Sequence, residues 1–191
     1  MTEGKQSPFA CYSRPVRFDE VLQTFARFFE HEHLRYAIIG GLALQAWGHS
    51  RFTRDIDFVV DRDARDRIVQ FAESLGYETL HVSEGYSNHL HGDPSRGRVD
   101  FMYVDPATAE RLFASAKSKA IVGDVSAPVP EPEHLLAMKA MAMKNSPRRV
   151  LTDSPDVQFL LRLPGVNRTT VRDYFARQGL LELFDAIDKQ S

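Results

Sequence analysis

One stretch of the chain, residues 36–60, constrains the fold more than any other: YAIIGGLALQAWGHSRFTRDIDFVV. It begins with a short apolar run, Tyr36–Ile39, that ends at the pair Gly40-Gly41. This pattern predicts a buried strand, followed by a tight turn where a ligand can approach the backbone. Residues 42–47 include no β-branched side chain, so they predict a helix whose free N–H groups face the turn. Such a turn suits a phosphate-type anion.

The end of the same stretch carries two acidic side chains, Asp55 and Asp57, in a run of β-forming residues. Side chains two positions apart point to the same face of a strand, with Cβ atoms roughly 6.5–7 Å apart. Their oxygens can therefore converge on one or two hard cations, Mg²⁺ or Mn²⁺, which prefer carboxylate, water and phosphate oxygens. The arrangement predicts phosphoryl or nucleotidyl transfer.

An in-line displacement on phosphorus also needs a carboxylate for the attacking hydroxyl, because one metal activates that hydroxyl while the other holds the leaving phosphates. Residues 98–104 form another β-rich run, and Asp100 is the acid within it. If this run lies beside the Asp55–Asp57 strand, the three carboxylates form one cluster. We therefore predict Asp55, Asp57 and Asp100 as metal ligands and catalytic residues.

The order of these motifs resembles a known family. Gly40-Gly41, thirteen intervening residues, Asp55-x-Asp57 and a later strand aspartate are similar to the nucleotidyltransferase superfamily typified by DNA polymerase β. The form Arg51-x-Thr53-x-Asp55-Ile56-Asp57 further resembles the AbiEii toxin-type branch of small bacterial nucleotidyltransferases. The resemblance covers residues 36–161. Many superfamily members have Ser where this chain has Gly41, so backbone contacts replace a hydroxyl contact to phosphate.

This resemblance implies transfer of a nucleoside monophosphate from an NTP, with release of pyrophosphate. The residues that it implies in nucleotide binding are Gly40, Gly41, Arg51, Thr53 and Lys139. The acceptor stays open among an RNA end, a protein hydroxyl and a small molecule such as an aminoglycoside or lincosamide. A role as the toxin of a toxin–antitoxin pair, with an antitoxin protein as partner, is implied at the level of the family.

The predicted fold class is α/β (α+β), with a small mixed sheet flanked by helices and a helical C-terminal subdomain. Residues 1–15 are predicted as a flexible lead, residues 16–127 as the nucleotidyltransferase core and residues 128–191 as the C-terminal part, after a stiff proline-rich connector at residues 127–132. An amphipathic helix is predicted from Phe18 to about His33, and a helix after Asp61 or Asp63, either of which can cap it. Residues 83–97, after a strand at 77–82, are predicted as a long hairpin connection.

The composition indicates a soluble globular protein, with 43% hydrophobic and 26% charged residues. The single cysteine, Cys11, excludes an internal disulfide framework and fits a cytoplasmic location. No apolar stretch approaches the roughly 18 residues of a membrane span. A net charge of −2 argues against a globally basic nucleic-acid binder, although a local basic patch remains compatible with one.

The segment after the connector contains a helix at residues 133–144, whose methionines favour core packing over a binding surface. Residues 139–149 carry four basic side chains and no acid, so they are candidates for contacts with triphosphate or RNA phosphates. The AbiEii-like pattern in this region is matched by Lys139, Arg148 or Arg149, Asp153 and Asp156, although Thr152 stands where the pattern has a second lysine.

Ser154-Pro155 predicts a helix start, with Ser154 as the cap and Pro155 in the first turn. Asp156 then lies near the helix N-terminus, where a purely capping role and a role in the AbiEii-like pattern are both open.

Two other functional interpretations stay open. His89, His91 and Asp93 have the HxHxD spacing found in binuclear zinc hydrolases, but Pro94 stands where those sites continue with a histidine. A solvated or substrate-contacting loop is the alternative there. The chain as a whole is also compatible with a non-catalytic module that keeps the fold and binds a nucleotide or a partner protein.

Overall fold

A mixed five-stranded sheet lies at the centre of the protein, in a computed structural model that describes residues 16–191. The lead predicted for residues 1–15 lies outside the described residues. In spatial order the strands are β1 (Tyr36–Ile39), β2 (Asp55–Asp61), β5 (Arg98–Val104), β4 (Tyr86–His91) and β3 (Tyr77–Val82). A separate two-stranded sheet contains β6 (Lys117–Val122) and β7 (Val125–Val129).

Eight α-helices surround these sheets within residues 16–191, and none of them is long and apolar enough to cross a bilayer. Their bounds are α1 (Phe18–His31), α2 (Gly40–Ala46), α3 (Arg65–Ser74), α4 (Pro106–Ser115), α5 (Pro132–Asn145), α6 (Arg149–Leu161), α7 (Arg168–Arg177) and α8 (Leu181–Asp188). The predicted α/β (α+β) fold class, with helices at the C-terminal end, is confirmed. The boundary predicted after residue 127 falls within β7, and the division into two domains stays a prediction.

The pairing of β2 with β5 determines where the acidic residues lie. These two strands are parallel, and every other pair in the five-stranded sheet is antiparallel. Asp57 pairs with Asp100 in this register, and Phe58 pairs with Phe101. Neighbouring residues of a strand point to opposite faces. One face therefore carries the aspartates and the other carries the phenylalanines.

The phenylalanine face forms the core with α1. The rings of Phe58 and Phe101 stack at 5.4 Å, and Phe25 from α1 lies 5.7 Å and 5.5 Å from them. Phe29, one turn later on α1, lies 5.3 Å from Phe58. All four side chains are buried, and each contributes roughly 1.5–3 kcal/mol by leaving water. This burial fixes the face of the sheet that covers the core and leaves the aspartate face for other contacts.

The prediction of a long connection at residues 83–97 is wrong, because residues 86–91 form the strand β4. Two polar side chains, Ser87 and His89, point into the core from this strand and are fully buried. Ser87 Oγ lies 2.8 Å from His89 Nε2 and 2.6 Å from the Tyr103 hydroxyl, while His89 Nδ1 lies 3.1 Å from Thr79 Oγ1. Since a buried polar group costs little once it is hydrogen-bonded, a polar sequence can form an interior strand here.

The predicted helix start at Ser154-Pro155 is also wrong, because α6 begins at Arg149 and continues through Pro155. Ser154 Oγ donates to the carbonyl of Val150 at 2.6 Å, which is a contact of the helix interior rather than of a cap. Pro155 lacks the N–H that would reach the carbonyl of Leu151. Leu151 is 86% exposed, so water can hydrate that carbonyl.

The helix after β2 likewise has no side-chain cap. A 3₁₀ turn at Arg62–Ala64 precedes α3. Asp61, one of the two predicted capping residues, instead accepts hydrogen bonds from Arg35 at 2.8 Å and 3.0 Å. This ion pair joins the end of β2 to the start of β1.

Candidate active site

Three carboxylates converge near the N-terminal ends of the parallel strands β2 and β5. Asp55 and Asp57 share one face of β2, and Asp100 pairs with Asp57 from β5. One oxygen from each carboxylate lies within 4.8 Å of the others, and this is the one such group of potential metal ligands within residues 16–191. A set of carboxylate oxygens at this separation suits a hard divalent cation. The structure therefore brings the three predicted ligands together.

The central carboxylate of this cluster is the most strongly perturbed. Burial, followed by the negative charges of Asp55 and Asp100, raises the pKa of Asp57 to about 7. The two outer carboxylates each accept a hydrogen bond: Thr53 Oγ1 donates to Asp55 Oδ1 at 2.7 Å, and Arg98 Nε donates to Asp100 Oδ1 at 2.7 Å. Three acids held this close repel one another until a cation binds. The cluster therefore has the electrostatics of a cation site.

Close contacts with neighbouring side chains explain why positions 40 and 41 are both glycine. Gly40 has a φ of +63°, a conformation that L-residues with side chains rarely adopt, and a Cβ there would collide with the carboxylate of Asp57. A Cβ on Gly41 would lie 2.6 Å from the Cβ of Thr53. Both glycines thus let the end of β1 approach the carboxylate cluster, and their predicted contact with phosphates stays a prediction.

An ion-pair network lies next to the cluster and includes two other predicted nucleotide contacts, Lys139 and Arg51. Lys139 is only 9% exposed, and its Nζ donates to Asp153 Oδ1 at 2.7 Å and to Asp156 Oδ2 at 2.6 Å. Asp156 also accepts a hydrogen bond from Arg51 Nη1, and His49 Nε2 lies 3.4 Å from its other oxygen. The predicted contacts of Lys139 and Arg51 with a triphosphate stay predictions.

The network fixes the position of two aspartates whose role the sequence leaves open. Asp153 and Asp156 lie in the interior of α6 and are almost fully buried, so a purely capping role for Asp156 is wrong. Burial raises the pKa of Asp153, but the hydrogen bond from Arg149 and the charge of Lys139 outweigh it, and the pKa falls below its usual value. A buried charge requires such partners.

The carboxylate cluster borders a cleft of about 1160 Å³, and Asp57 and Asp100 are among the residues that line it. Its apolar walls come from Tyr86 and Met102 of the sheet and from residues of α5 and α7. Two methionines of α5, Met138 and Met141, line this cleft. Met143 is buried in the core and Met138 packs against it, as predicted, whereas Met141 is 40% exposed.

Three arginines that the sequence reasoning missed also line the cleft: Arg62, Arg111 and Arg177. Within residues 16–191, no carboxylate lies within salt-bridge distance of any of them. They come from a 3₁₀ turn and two helices that are distant in sequence. No local motif connects them, because only the tertiary fold brings the 3₁₀ turn, α4 and α7 to one cleft.

The zinc interpretation has no support in the geometry. His89 is buried in the core, where both ring nitrogens have hydrogen-bond partners, and His91 Nε2 lies 3.2 Å from the carbonyl of Leu75. His91 Nδ1 accepts from the backbone N–H of Asp93 at 2.8 Å. Both ring nitrogens of His91 are thus occupied by backbone groups. Within the described part of the chain, His89, His91 and Asp93 do not converge as a metal-ligand group.

Several solved structures share this fold. The solution structure of the antibiotic-resistance factor ANT(2'')-Ia has a TM-score of 0.55 at 15% identity, over 90% of each chain. The lincomycin-bound lincosamide antibiotic adenylyltransferase LnuA has a TM-score of 0.52 at 18% identity, over 78% of this chain and 99% of its own. An antigenic nucleotidyltransferase-like protein from Paracoccidioides brasiliensis has a TM-score of 0.53 at 19% identity, over 91% and 94%.

The sequence itself has its counterpart among models of protein families and not among curated proteins. No curated protein matches it at a significant level. A family model described as "Nucleotidyl transferase AbiEii toxin, Type IV TA system" matches residues 20–190. That match covers the sheet, the carboxylate cluster, the ion-pair network and all the helices after β7. The chain therefore belongs to the AbiEii nucleotidyltransferase family.

Proposed function

We propose that this protein is a metal-dependent nucleotidyltransferase that moves a nucleoside monophosphate from an NTP to a hydroxyl group and releases pyrophosphate. The convergence of Asp55, Asp57 and Asp100 within 4.8 Å is the observation that carries the proposal. These residues would hold Mg²⁺ or Mn²⁺, which neutralises the charge on the phosphates when bound. Asp55 and Asp57 bind the metal in this proposal, and Asp100 orients the acceptor hydroxyl or takes its proton.

The nucleotide side of the site is proposed to lie at the glycine turn and the segment that follows α2. Thr53 packs against Gly41 and donates to Asp55, so this segment lies beside both the turn and the metal ligands. The ammonium group of Lys139 is already shared by two carboxylates. Its proposed contribution is therefore to hold Asp156, which in turn holds Arg51 next to the phosphates.

The acceptor is proposed to be RNA, because three arginines of the cleft have no carboxylate partner among residues 16–191. Arg62, Arg111 and Arg177 face the space that an acceptor would enter, and guanidinium groups bind phosphate oxygens well. One structural relative, ANT(2'')-Ia, is known in complex with adenylyl-2''-tobramycin. Tobramycin carries several amines, and these three arginines would repel a polycation of that kind. The carboxylates of the same cleft include Asp57 and Asp100, whose charge the proposed metal would offset. An anionic polymer fits the cleft better.

The description of the family adds two further proposals. A type IV toxin–antitoxin system contains an antitoxin, so we propose such a protein as partner. The reaction would take place in the cytoplasm, where NTPs and RNA occur together.

The test is transfer of label from each α-labelled NTP, in Mg²⁺ or Mn²⁺, to cellular RNA, to lysate protein or to an aminoglycoside. We expect labelled RNA with the parent protein and none with Asp57→Asn. The matched control is Asp19→Asn, which removes a carboxylate from the exposed side of α1 and should transfer normally. Equal labelling by Asp57→Asn would refute the proposed role of the cluster. NTP binding without transfer to any acceptor would instead support the non-catalytic module.

A further inference from the structure

Phe52 is a large apolar side chain with an unusual position. Its side chain is 77% exposed, although it lies three residues before the metal-ligand candidate Asp55. Exposure of a single apolar residue is common on protein surfaces. The feature that separates Phe52 from such residues is that its neighbours on both sides are held in place.

The residue before it, Arg51, is held twice. Its guanidinium donates to the buried carboxylate of Asp156, and its carbonyl accepts a hydrogen bond from Gln45 Nε2 on α2. The residue after it, Thr53, packs against Gly41 and donates to Asp55 Oδ1 at 2.7 Å. The backbone on each side of Phe52 is therefore fixed to the rim of the carboxylate cluster, while the ring faces solvent.

Arg54 completes the arrangement. Its guanidinium carbon lies 5.4 Å from the centroid of the Phe52 ring, within the range of a cation–π contact. A fixed aromatic ring beside an arginine is the combination on which nucleobases stack. The ring of Phe52 could stack on the π-system of a ligand, while the guanidinium of Arg54 could bind its phosphates.

The cleft and Phe52 serve different parts of the site. Asp57 and Asp100 line the cleft. Among the described residues, 16–191, Phe52 and Arg54 do not line it. The cleft accounts for an acceptor that approaches along β4, β5 and α5. Phe52 and Arg54 instead belong to the segment that packs against the glycine turn, which is the proposed nucleotide side.

We propose that Phe52, supported by Arg54, is the stacking platform for the base of the incoming NTP. The inference rests on the proposed function and specifies which residue positions the nucleotide. Because every base has a π-face, such a platform binds all four bases with little discrimination. The chain should therefore accept more than one NTP, with the purines bound somewhat better because their ring systems are larger.

The test measures equilibrium binding of ATP and of inorganic tripolyphosphate to the parent and to variants, in Mg²⁺ without acceptor. Stacking on an aromatic side chain has a typical strength that corresponds to roughly 5- to 150-fold in affinity. We expect Phe52→Ala to weaken ATP binding by about tenfold and to leave tripolyphosphate binding unchanged. Phe52→Tyr should retain ATP affinity, since it keeps the ring. Leu151→Ala, which truncates an even more exposed apolar side chain on α6, is the matched control and should bind like the parent.

The outcomes separate this inference from the proposed function. A parent protein that binds no ATP refutes both. A parent that binds ATP together with a Phe52→Ala variant of equal affinity refutes the platform alone. Equal losses for ATP and tripolyphosphate would show that Phe52 shapes the phosphate site rather than stacking on the base. If Phe52→Ala keeps the ATP affinity of the parent but binds RNA more weakly in a separate titration, the ring belongs to the acceptor side and the inference is overturned.

Discussion

Replacement of Asp57 by Asn should stabilise the metal-free protein, and the gain should grow with pH. The pKa of Asp57 is about 7 in the folded protein, against 3.8 for an ordinary aspartate. Between these values the unfolded chain binds fewer protons than the folded one at this position. The free energy of unfolding of the parent therefore falls as the pH rises from about 4 to about 7, and levels off above that. The Asn variant does not titrate and is spared this loss.

The size of the effect follows from the interval between the two pKa values. Each pKa unit corresponds to about 1.4 kcal/mol, so the interval sets an upper limit of about 4 kcal/mol for the loss of stability. Somewhat more than about 2 kcal/mol of this develops between pH 5 and pH 7. Asp57 is only partly buried, and water screens part of the repulsion, so we expect about 2 kcal/mol. For a chain of this size that corresponds to a rise in Tm of about 4–8 °C.

The assay is urea unfolding of the parent and of Asp57→Asn at several pH values from 5 to 8, with a chelator present. The quantity of interest is the difference in unfolding free energy between the two proteins, because titrating groups that do not interact with Asp57 cancel in it. A difference that stays constant from pH 5 to pH 8 would refute the reasoning. Addition of Mg²⁺ at pH 8 should stabilise the parent and leave the variant almost unchanged, since the cation relieves the repulsion that the substitution removes.

Three further outcomes are expected at the site. Gly40→Ala should destabilise the protein by more than about 1 kcal/mol, because residue 40 has a positive φ and the added Cβ would collide with the carboxylate of Asp57. The same variant should bind Mn²⁺ more weakly in a calorimetric titration. Lys139→Met should cost about 3–5 kcal/mol in urea unfolding at pH 7, because it leaves two buried carboxylates without their shared cation. Joint replacement of Arg111 and Arg177 by alanine should weaken RNA binding and leave the ATP affinity unchanged. The slope of the logarithm of RNA affinity against the logarithm of salt concentration should fall by roughly one for each phosphate that the arginines no longer neutralise.

Each of these has a control in the same chain. Gly48→Ala also places a side chain at a positive φ, but no atom lies within 4 Å of the added Cβ, so this variant should keep Mn²⁺ binding. If both variants lost Mn²⁺ binding, backbone strain and not the collision with Asp57 would be the cause. Lys144→Met removes a surface lysine that donates to Gln178 and should cost less than about 0.5 kcal/mol. An unchanged salt slope in the arginine variant would contradict the placement of RNA in the cleft.

The parts of the site that sequence could predict depend on local spacing. Asp55 and Asp57 are two positions apart on a strand, so they share a face whatever the rest of the chain does. The prediction of Asp100 as the third carboxylate required only a second β-rich run and the assumption that the two runs are neighbours. The parallel pairing of β2 with β5 confirms that assumption. The family pattern likewise depends on short motifs with fixed spacing, so it can be recognised without knowledge of the fold.

The parts that sequence could not predict depend on partners from elsewhere in the fold. The polar residues of β4 are compatible with a buried strand only because Thr79 and Tyr103 lie beside them. The predicted start of α6 is wrong because local rules for Ser and Pro apply to helix ends, whereas the helix here includes Asp153 and Asp156, which reach Lys139. Tertiary contacts outweigh local preference in both cases.

The strand order of the sheet has a consequence for the synthesis of the protein. The strand β5, which carries Asp100, lies between β2 and β4, so both of its neighbours are made before it. The carboxylate cluster cannot be complete until residue 104 has left the ribosome, and Arg51 is not anchored until residue 156 of 191 has followed. A nascent chain of a toxin family would thus lack a finished site for most of its translation.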